Sequence, residues 1–88
     1  MTEQVVKIIN RAGIHARPAA VLVNSIKDLN ANVYLEKGAD RINAKSIMGI
    51  LTLLATYGTE LTVIAEGEEE AEAVETIVRL IETKFEEE

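Results

Sequence analysis

The spacing of apolar and polar residues along the chain predicts four β-strands. Runs rich in Val, Ile and other β-formers predict strands at Thr2–Ile9, Val33–Glu36, Arg41–Ala44 and Glu60–Ala65. The loop Lys37–Asp40, which contains a glycine, joins the second and third strands as a hairpin. Period-two spacing favours Val6 and Ile8 as the inward residues of the first strand. In the last strand it puts Leu61, Val63 and Ala65 on one face.

Three stretches have the spacing of helices. The first runs from Ala16 to about Leu29, with Pro18 in its first turn, where the missing N–H removes no helical bond. The second covers Ile47–Leu54, with Ser46 as its N-cap. The apolar stripe of the third consists of Ala71, Val74, Ile77, Val78, Ile81 and Phe85, and we expect Glu86–Glu88 to fray.

The element order is therefore β-α-β-β-α-β-α in a single domain, residues 1–88. Helices with one apolar face each, next to four strands, predict an α+β fold. We expect a four-stranded antiparallel sheet covered on one face by the helices.

Composition and charge narrow the classes of function. The chain has no cysteine, no secretory signal and no apolar run near the roughly 18 residues of a membrane span, so we expect a cytoplasmic protein without membrane insertion. Residues 1–65 carry seven Lys/Arg and five Asp/Glu, a net +2, whereas residues 66–88 carry two and ten, a net −8. This balance argues against direct nucleic-acid binding and favours an acidic partner protein docking outside the tail.

His15 is the strongest candidate for chemistry. It is the only histidine, and it lies at or beside the N-cap of the first predicted helix. A neutral imidazole nitrogen can attack a phosphoryl group and later release it. The backbone N–H groups of Ala16 and Arg17 and the guanidinium of Arg17 can bind phosphoryl oxygens. With no second histidine and no cysteine, a metal site is disfavoured, and nothing supports a serine hydrolase.

The Gly-Ile-His-Ala-Arg-Pro-Ala block at 13–19, followed about thirty residues later by Lys-Ser-Ile-Met-Gly at 45–49, resembles the HPr family. These are histidine-containing phosphocarriers of the bacterial phosphoenolpyruvate-dependent sugar phosphotransferase system. The resemblance spans the chain and implies an open-faced β-sandwich with three helices. It implies that phosphorylated enzyme I phosphorylates His15 on Nδ1 (pros-phosphohistidine), that Arg17 contacts the phosphoryl group, and that a IIA domain of a sugar permease accepts it. We expect a monomeric carrier without a cofactor, rather than an enzyme.

Besides its capping role, Ser46 is a candidate site of regulatory phosphorylation. In many members of the family an ATP-dependent HPr kinase/phosphorylase phosphorylates the matching serine, and the product acts with a catabolite-control transcription factor. Phosphate at a helix N-terminus is tolerated by the fold, but it would repel an acidic partner. We therefore expect regulatory phosphorylation at Ser46.

The second predicted helix also suggests a docking surface. Six of the eight residues at 47–54 are apolar, too many for one buried face, so some are expected at the surface as part of an interface. The resemblance implies partner contacts by Ile47, Met48 and Leu51 together with Ala20 and Val21. Lys27 supplies a positive charge for an acidic partner, whereas Asn24 and Gly49 replace basic residues of many relatives.

Three alternatives remain open. The chain could be mainly a regulatory binding module, phosphorylated on Ser46, although the family's paralogue of that type lacks the active histidine that is present here. It could be a nitrogen-branch phosphocarrier, which the Lys-Ser-Ile-Met-Gly block argues against. A small acylphosphatase-like enzyme is the weakest alternative and would require turnover without a partner.

Overall fold

The structure is a computed structural model that describes residues 1–86. Seven elements follow one another in the predicted order, with a short 3₁₀ turn after them. They are β1 (Thr2–Lys7), α1 (Ala16–Ile26), β2 (Asn32–Lys37), β3 (Asp40–Asn43), α2 (Ile47–Thr52), β4 (Glu60–Glu66) and α3 (Glu70–Glu82), and the 3₁₀ turn is Lys84–Glu86. Of the tail predicted to fray, Glu87 and Glu88 lie outside the described residues.

The four strands form one antiparallel sheet in the order β1-β4-β2-β3. Val6 lies opposite Leu61, and Val63 lies opposite Leu35, so period-two alternation directs these four side chains to the same, buried face. Ile8 follows β1 and is fully buried. The predicted inward residues of the first and last strands are thus confirmed.

The helices cover that buried face and leave the other face open. α3 packs across β1, β4 and β2, and α1 packs against both α2 and α3. One aliphatic core joins the two layers, with Leu22 and Ile26 from α1, Ile50 from α2 and Ile77 from α3 all fully buried. The predicted four-stranded antiparallel sheet with helices on one face is therefore confirmed.

Several predicted boundaries were wrong by a few residues. α1 ends at Ile26 rather than near Leu29, because the chain turns tightly there, with the Leu29 N–H donating to the Ile26 carbonyl. α2 stops at Thr52 rather than Leu54. The hairpin loop is shorter than predicted, since Lys37 and Asp40 pair across it.

The assignment of one residue to the apolar stripe of α3 was also wrong. Ala71 is exposed, whereas Ala73 is fully buried together with Ile77 and Ile81. Residues four apart lie on one helix face, so Ala73 continues the line of Ile77 and Ile81. Ala71 lies in the first turn, at the margin of that stripe.

The acidic start of α3 is joined to the end of α1. The Asn30 N–H donates to Glu69 Oε1 at 2.7 Å, and the Asn30 carbonyl accepts the Glu69 N–H at 3.0 Å. A Cβ on Gly67 would lie 2.8 Å from Ala31 Cα, so the two chain segments are in close backbone contact. The acidic cluster at 66–72 therefore lies beside the C-terminal end of α1, whereas His15 lies at its N-terminal end.

Glu70 ties the start of β1 to the start of α3. Its Oε2 accepts the Thr2 hydroxyl at 2.6 Å and lies 2.9 Å from the Met1 amino group, and its Oε1 accepts the Gly67 N–H at 3.2 Å. The Thr2 hydroxyl contributes most to lowering the pKa of Glu70 from 4.5 to about 2, and the Met1 amino group and the Gly67 N–H lower it further. The ionised carboxylate is thus the form that the fold favours.

Replacing this carboxylate is expected to lower stability in a pH-dependent way. Because the folded pKa lies below the unfolded one, ionised Glu70 contributes fully above about pH 5, and the contribution is lost as the pH falls from 4.5 toward 2. Urea unfolding should therefore show Glu70→Gln less stable than the wild type at pH 7, with the gap closing toward pH 2. The control is Glu72→Gln, an exposed carboxylate of the same helical turn. An equal effect of both variants would contradict a specific role for Glu70.

Candidate functional site

His15 is the N-cap residue of α1, as predicted. Its backbone is extended (φ −103°, ψ −164°), its side chain is exposed, and its carbonyl accepts the first helical hydrogen bond, from the Ala19 N–H at 3.0 Å. The N–H groups of Ala16 and Arg17 come before Ala19 in the helix and so have no intrahelical acceptor, and Pro18 has no N–H group. The predicted donors therefore belong to the helix N-terminus that His15 caps, at the positive end of the helix dipole, and the His15 side chain makes no capping hydrogen bond to them.

The loop before His15 is fixed from two sides. Asn10 is fully buried and donates from Nδ2 to the Gly13 carbonyl at 2.7 Å, while the Ile14 N–H donates to the Ala55 carbonyl at 2.8 Å. Gly13 has φ +70°, and a Cβ there would lie 2.6 Å from the Ala55 oxygen. Only glycine fits this turn without moving backbone. As a result, His15 follows two residues whose positions are set by the rest of the fold.

Arg17 lies in the first turn of α1 and is exposed, as His15 is. Pro18 and Ala19 behind them are buried, so the first turn is anchored on its inner side. An exposed arginine two residues after an exposed histidine, in the first turn of a helix, suits the binding of an anionic, tetrahedral group. The site lies at the surface, where a partner protein can reach it.

Ser46 is the N-cap of α2, which confirms its predicted capping role. Its Oγ accepts the Gly49 N–H at 3.0 Å, and the residue is half-buried. A Cβ on Gly49 would lie 3.3 Å from that oxygen, so Gly49 leaves the hydroxyl uncrowded. The neighbouring Lys45 directs its ammonium to the Leu29 carbonyl, at 2.8 Å.

The predicted docking residues belong to two helices in contact, α1 and α2. Met48 is 70% exposed and Ile47 40% exposed, which bears out the expectation that α2 presents apolar residues to solvent. Lys27 is exposed as well, at the C-cap of α1. The remaining three, Ala20, Val21 and Leu51, are half-buried.

Several features of this region were not found from the sequence. Neither the hydrogen bond from Asn10 nor the contact of Ala55 with the His15 loop had a local signal. Leu54 and Tyr57 are 70% and 64% exposed, so apolar surface continues beyond the predicted docking residues. The excess of apolar residues after Ser46 was the one signal for part of this surface.

Other parts of the described chain add no competing site. A polar groove of about 240 Å³ is lined by Leu29–Asn32, Lys45, Glu66 and Gly67 and contains none of the predicted phosphoryl-transfer residues. Within residues 1–86, no three His, Asp or Glu side chains are grouped as metal ligands. No helix of that same part has the length and apolarity to span a bilayer.

Comparison with known proteins identifies the family. Residues 2–83 match the family profile PTS-HPr, described as the HPr component phosphorylation site of the phosphotransferase system. The phosphocarrier protein HPr of Treponema pallidum is 43% identical over the full length of both chains.

Solved structures agree with this match. The crystal structure of HPr-C-His from Thermoanaerobacter tengcongensis is 43% identical, with a TM-score of 0.95, covering 100% of this chain and 99% of the other. Crh, a catabolite-repression protein of Bacillus subtilis that crystallised as a domain-swapped dimer, is 40% identical with a TM-score of 0.76, covering 96% and 97%. The fold is thus the open-faced sandwich of HPr structures, and the chain belongs to the HPr family of phosphocarrier proteins of the phosphotransferase system.

Proposed function

We propose that this protein carries a phosphoryl group on His15 from phosphorylated enzyme I to a IIA domain of a sugar permease, in the cytoplasm. The observation that carries the proposal is the position of His15, exposed at the N-terminus of α1, next to Arg17 and two helical N–H groups. A relay needs a nucleophile that two partners can reach in turn, and an exposed N-cap meets that need.

The transfer is a displacement at phosphorus. The lone pair of His15 Nδ1 attacks the phosphorus of the phosphoryl group on enzyme I, and the bond from phosphorus to the donor atom breaks, with its electron pair returning to the donor. Arg17 and the N–H groups of Ala16 and Arg17 bind the equatorial oxygens, on which charge is spread during transfer. In a second displacement, a nucleophile of the acceptor attacks the same phosphorus, and the bond from phosphorus to Nδ1 breaks with its electron pair returning to the imidazole.

Donor and acceptor would use the same surface in succession. Met48 and Ile47 supply exposed apolar area on α2, and Lys27 adds positive charge on α1. The +2 balance of residues 1–65 suits an acidic partner surface. Small, transient interfaces of this kind release one partner before the next one binds.

The test is phosphorus NMR of the protein after incubation with phosphoenolpyruvate and a purified bacterial enzyme I. An acid-labile phosphoimidazole resonance, which disappears when a IIA domain is added, is the expected result. The chemical shift distinguishes Nδ1 from Nε2. Folded protein that acquires no phosphoryl group with enzyme I from several species would contradict the carrier function.

We also propose that phosphorylation of Ser46 by an HPr kinase/phosphorylase regulates the carrier, with a catabolite-control transcription factor as partner of the phosphorylated form. The supporting observation is the half-buried hydroxyl that caps α2 directly before Ile47 and Met48. A phosphate there adds about two negative charges to the docking surface. It would thereby repel an acidic partner of His15 without unfolding the helix.

A charge mimic checks this effect. Ser46→Asp is expected to weaken binding to enzyme I about tenfold, equivalent to about 1.4 kcal/mol, because like charges then face each other in the complex. Isothermal titration calorimetry measures the dissociation constant. Ala71→Asp is the matched control, since it adds one negative charge in the first turn of α3, an exposed position outside the docking surface. Equal weakening by both variants would exclude a local effect at Ser46.

We further propose that the carrier acts as a monomer, because a shuttle with one small docking surface needs no second copy. Sedimentation equilibrium at micromolar concentration should give the mass of a single chain, 9.6 kDa. A stable dimer, such as the domain-swapped form described for Crh, would contradict the proposal.

A further inference from the structure

The segment that follows α2 is held by a lysine from the sheet. Lys37, the last residue of β2, is half-buried, and its Nζ donates to the Leu53 carbonyl at 2.9 Å and to the Leu54 carbonyl at 3.3 Å. The last carbonyls of a helix lack intrahelical partners and form the negative end of its dipole. The Lys37 ammonium therefore caps α2 from outside the helix.

The backbone held by Lys37 is in an uncommon conformation. Leu54 has φ +53°, in the left-handed region that L-residues other than glycine and asparagine seldom adopt, and its side chain is 70% exposed. Burial of its own side chain therefore does not explain why Leu54 keeps this conformation. The two hydrogen bonds from Lys37 act on its carbonyl and on the preceding one, and so oppose relaxation of this turn.

The next residue after the turn holds the loop of His15. The Ala55 carbonyl accepts the Ile14 N–H at 2.8 Å, and its oxygen lies against Gly13. Farther along the same segment, the Gly58 N–H donates to the Ile8 carbonyl at 2.8 Å. A shift of the Leu54 turn would therefore move the acceptor that positions the residue before His15.

We propose that Lys37 is a positioning residue for phosphoryl transfer at His15, acting through the Leu54 turn and the Ala55 carbonyl. The inference rests on the proposed carrier function. The described hydrogen bonds of the Lys37 ammonium go to the Leu53 and Leu54 carbonyls and not to His15. It fixes the end of α2, and the end of α2 in turn fixes the loop from which His15 projects.

The first test is Lys37→Met, which keeps the aliphatic stem and removes the ammonium. Steady-state phosphorylation by enzyme I should show kcat lowered by roughly three- to tenfold, less than the ~100-fold that a 1 Å misplacement can cost, with KM changed less than twofold. Lys37→Arg retains the donors and should restore most of the rate. Lys7→Met is the matched charge control, since Lys7 is exposed on β1 and its side chain makes no hydrogen bond or ion pair that the structure describes within residues 1–86.

Amide hydrogen exchange separates positioning from general destabilisation. In Lys37→Met the Ile14 amide should exchange at least tenfold faster than in the wild type, while core amides such as that of Leu35 change only with global stability. Lys37→Met combined with Leu54→Gly should recover the rate of phosphorylation. Glycine adopts positive φ without steric cost, so the turn then keeps its conformation without the hydrogen bonds from Lys37.

The possible results distinguish failure of the role of Lys37 from failure of the carrier function. Unchanged kcat in folded Lys37→Met, or slowed transfer with unaltered Ile14 exchange, would overturn the role of Lys37 while leaving the carrier function intact. Failure of the double variant to recover any rate would exclude the route through Leu54. Absence of phosphorylation in the wild type would instead overturn the carrier function and this inference with it.

Discussion

Replacing His15 by alanine is expected to abolish phosphorylation by enzyme I. The imidazole is the only nucleophile of its kind in the chain, and neither Arg17 nor a backbone N–H can form a phosphoryl bond in its place. Because His15 is exposed and lies outside the core, the free energy of unfolding should change by about 0.5 kcal/mol or less. Total loss of transfer without loss of fold is the signature of the residue that carries the group.

Acid-labile incorporation of radiolabelled phosphate measures the loss, and circular dichroism with urea titration verifies the fold. Arg17→Met is the informative companion variant. It removes a stabilising charge but keeps the nucleophile, so transfer should slow by about 10²–10³-fold and still reach completion. Residual acid-labile labelling of His15→Ala would mean that another residue accepts the phosphoryl group.

Gly13→Ala is expected to have the largest effect on stability of the glycine substitutions near the site. An added Cβ would lie 2.6 Å from the Ala55 oxygen and 2.9 Å from Thr56 Cα, and both are backbone atoms that cannot rotate away. The positive φ of Gly13 adds its own cost. Together, steric overlap and the left-handed conformation should lower the free energy of unfolding by about 2–4 kcal/mol.

Gly38→Ala provides the control for the conformational part of this cost. Gly38 also has positive φ, +58°, but no atom lies within 4 Å of an added Cβ. Its replacement should cost only about 1 kcal/mol. Urea unfolding of both variants gives the difference between their free energies of unfolding, and this difference measures the steric contact with Ala55 and Thr56. If the two variants were equally stable, the close approach of the His15 loop to that segment would be contradicted.

Local sequence signals were sufficient for the elements and for the residues of the site that lie next to one another in the chain. Pro18 marks the start of α1 and so places His15 at its N-cap, and Ser46 marks the start of α2 in the same way. Both depend on backbone chemistry within one helical turn. Binary patterning likewise identified the buried face of the sheet, because each strand alternates independently of its partners.

Interactions between distant segments had no such signal. The sequence alone does not show what Gly13 lies against. Only the fold shows that its backbone is in close contact with Ala55. Likewise, nothing in the sequence around Lys37 predicts its contact with the end of α2, which lies next to it only in the folded chain. The end of α2 was itself misplaced, because Leu54 leaves the helix through a conformation that leucine seldom adopts and propensity does not predict.

The hydrogen bonds between Glu69 and Asn30 have a consequence for the speed of encounter. They fix the acidic cluster at the C-terminal end of α1, a helix of 11 residues and so about 16 Å long, with His15 at its other end. An approaching acidic protein is therefore repelled by the acidic cluster when it meets that end of α1, and it is not repelled by this cluster at the end that bears His15. The repulsion disfavours encounters through the wrong end of the helix. Such orientational steering raises the fraction of productive collisions and weakens as ionic strength increases.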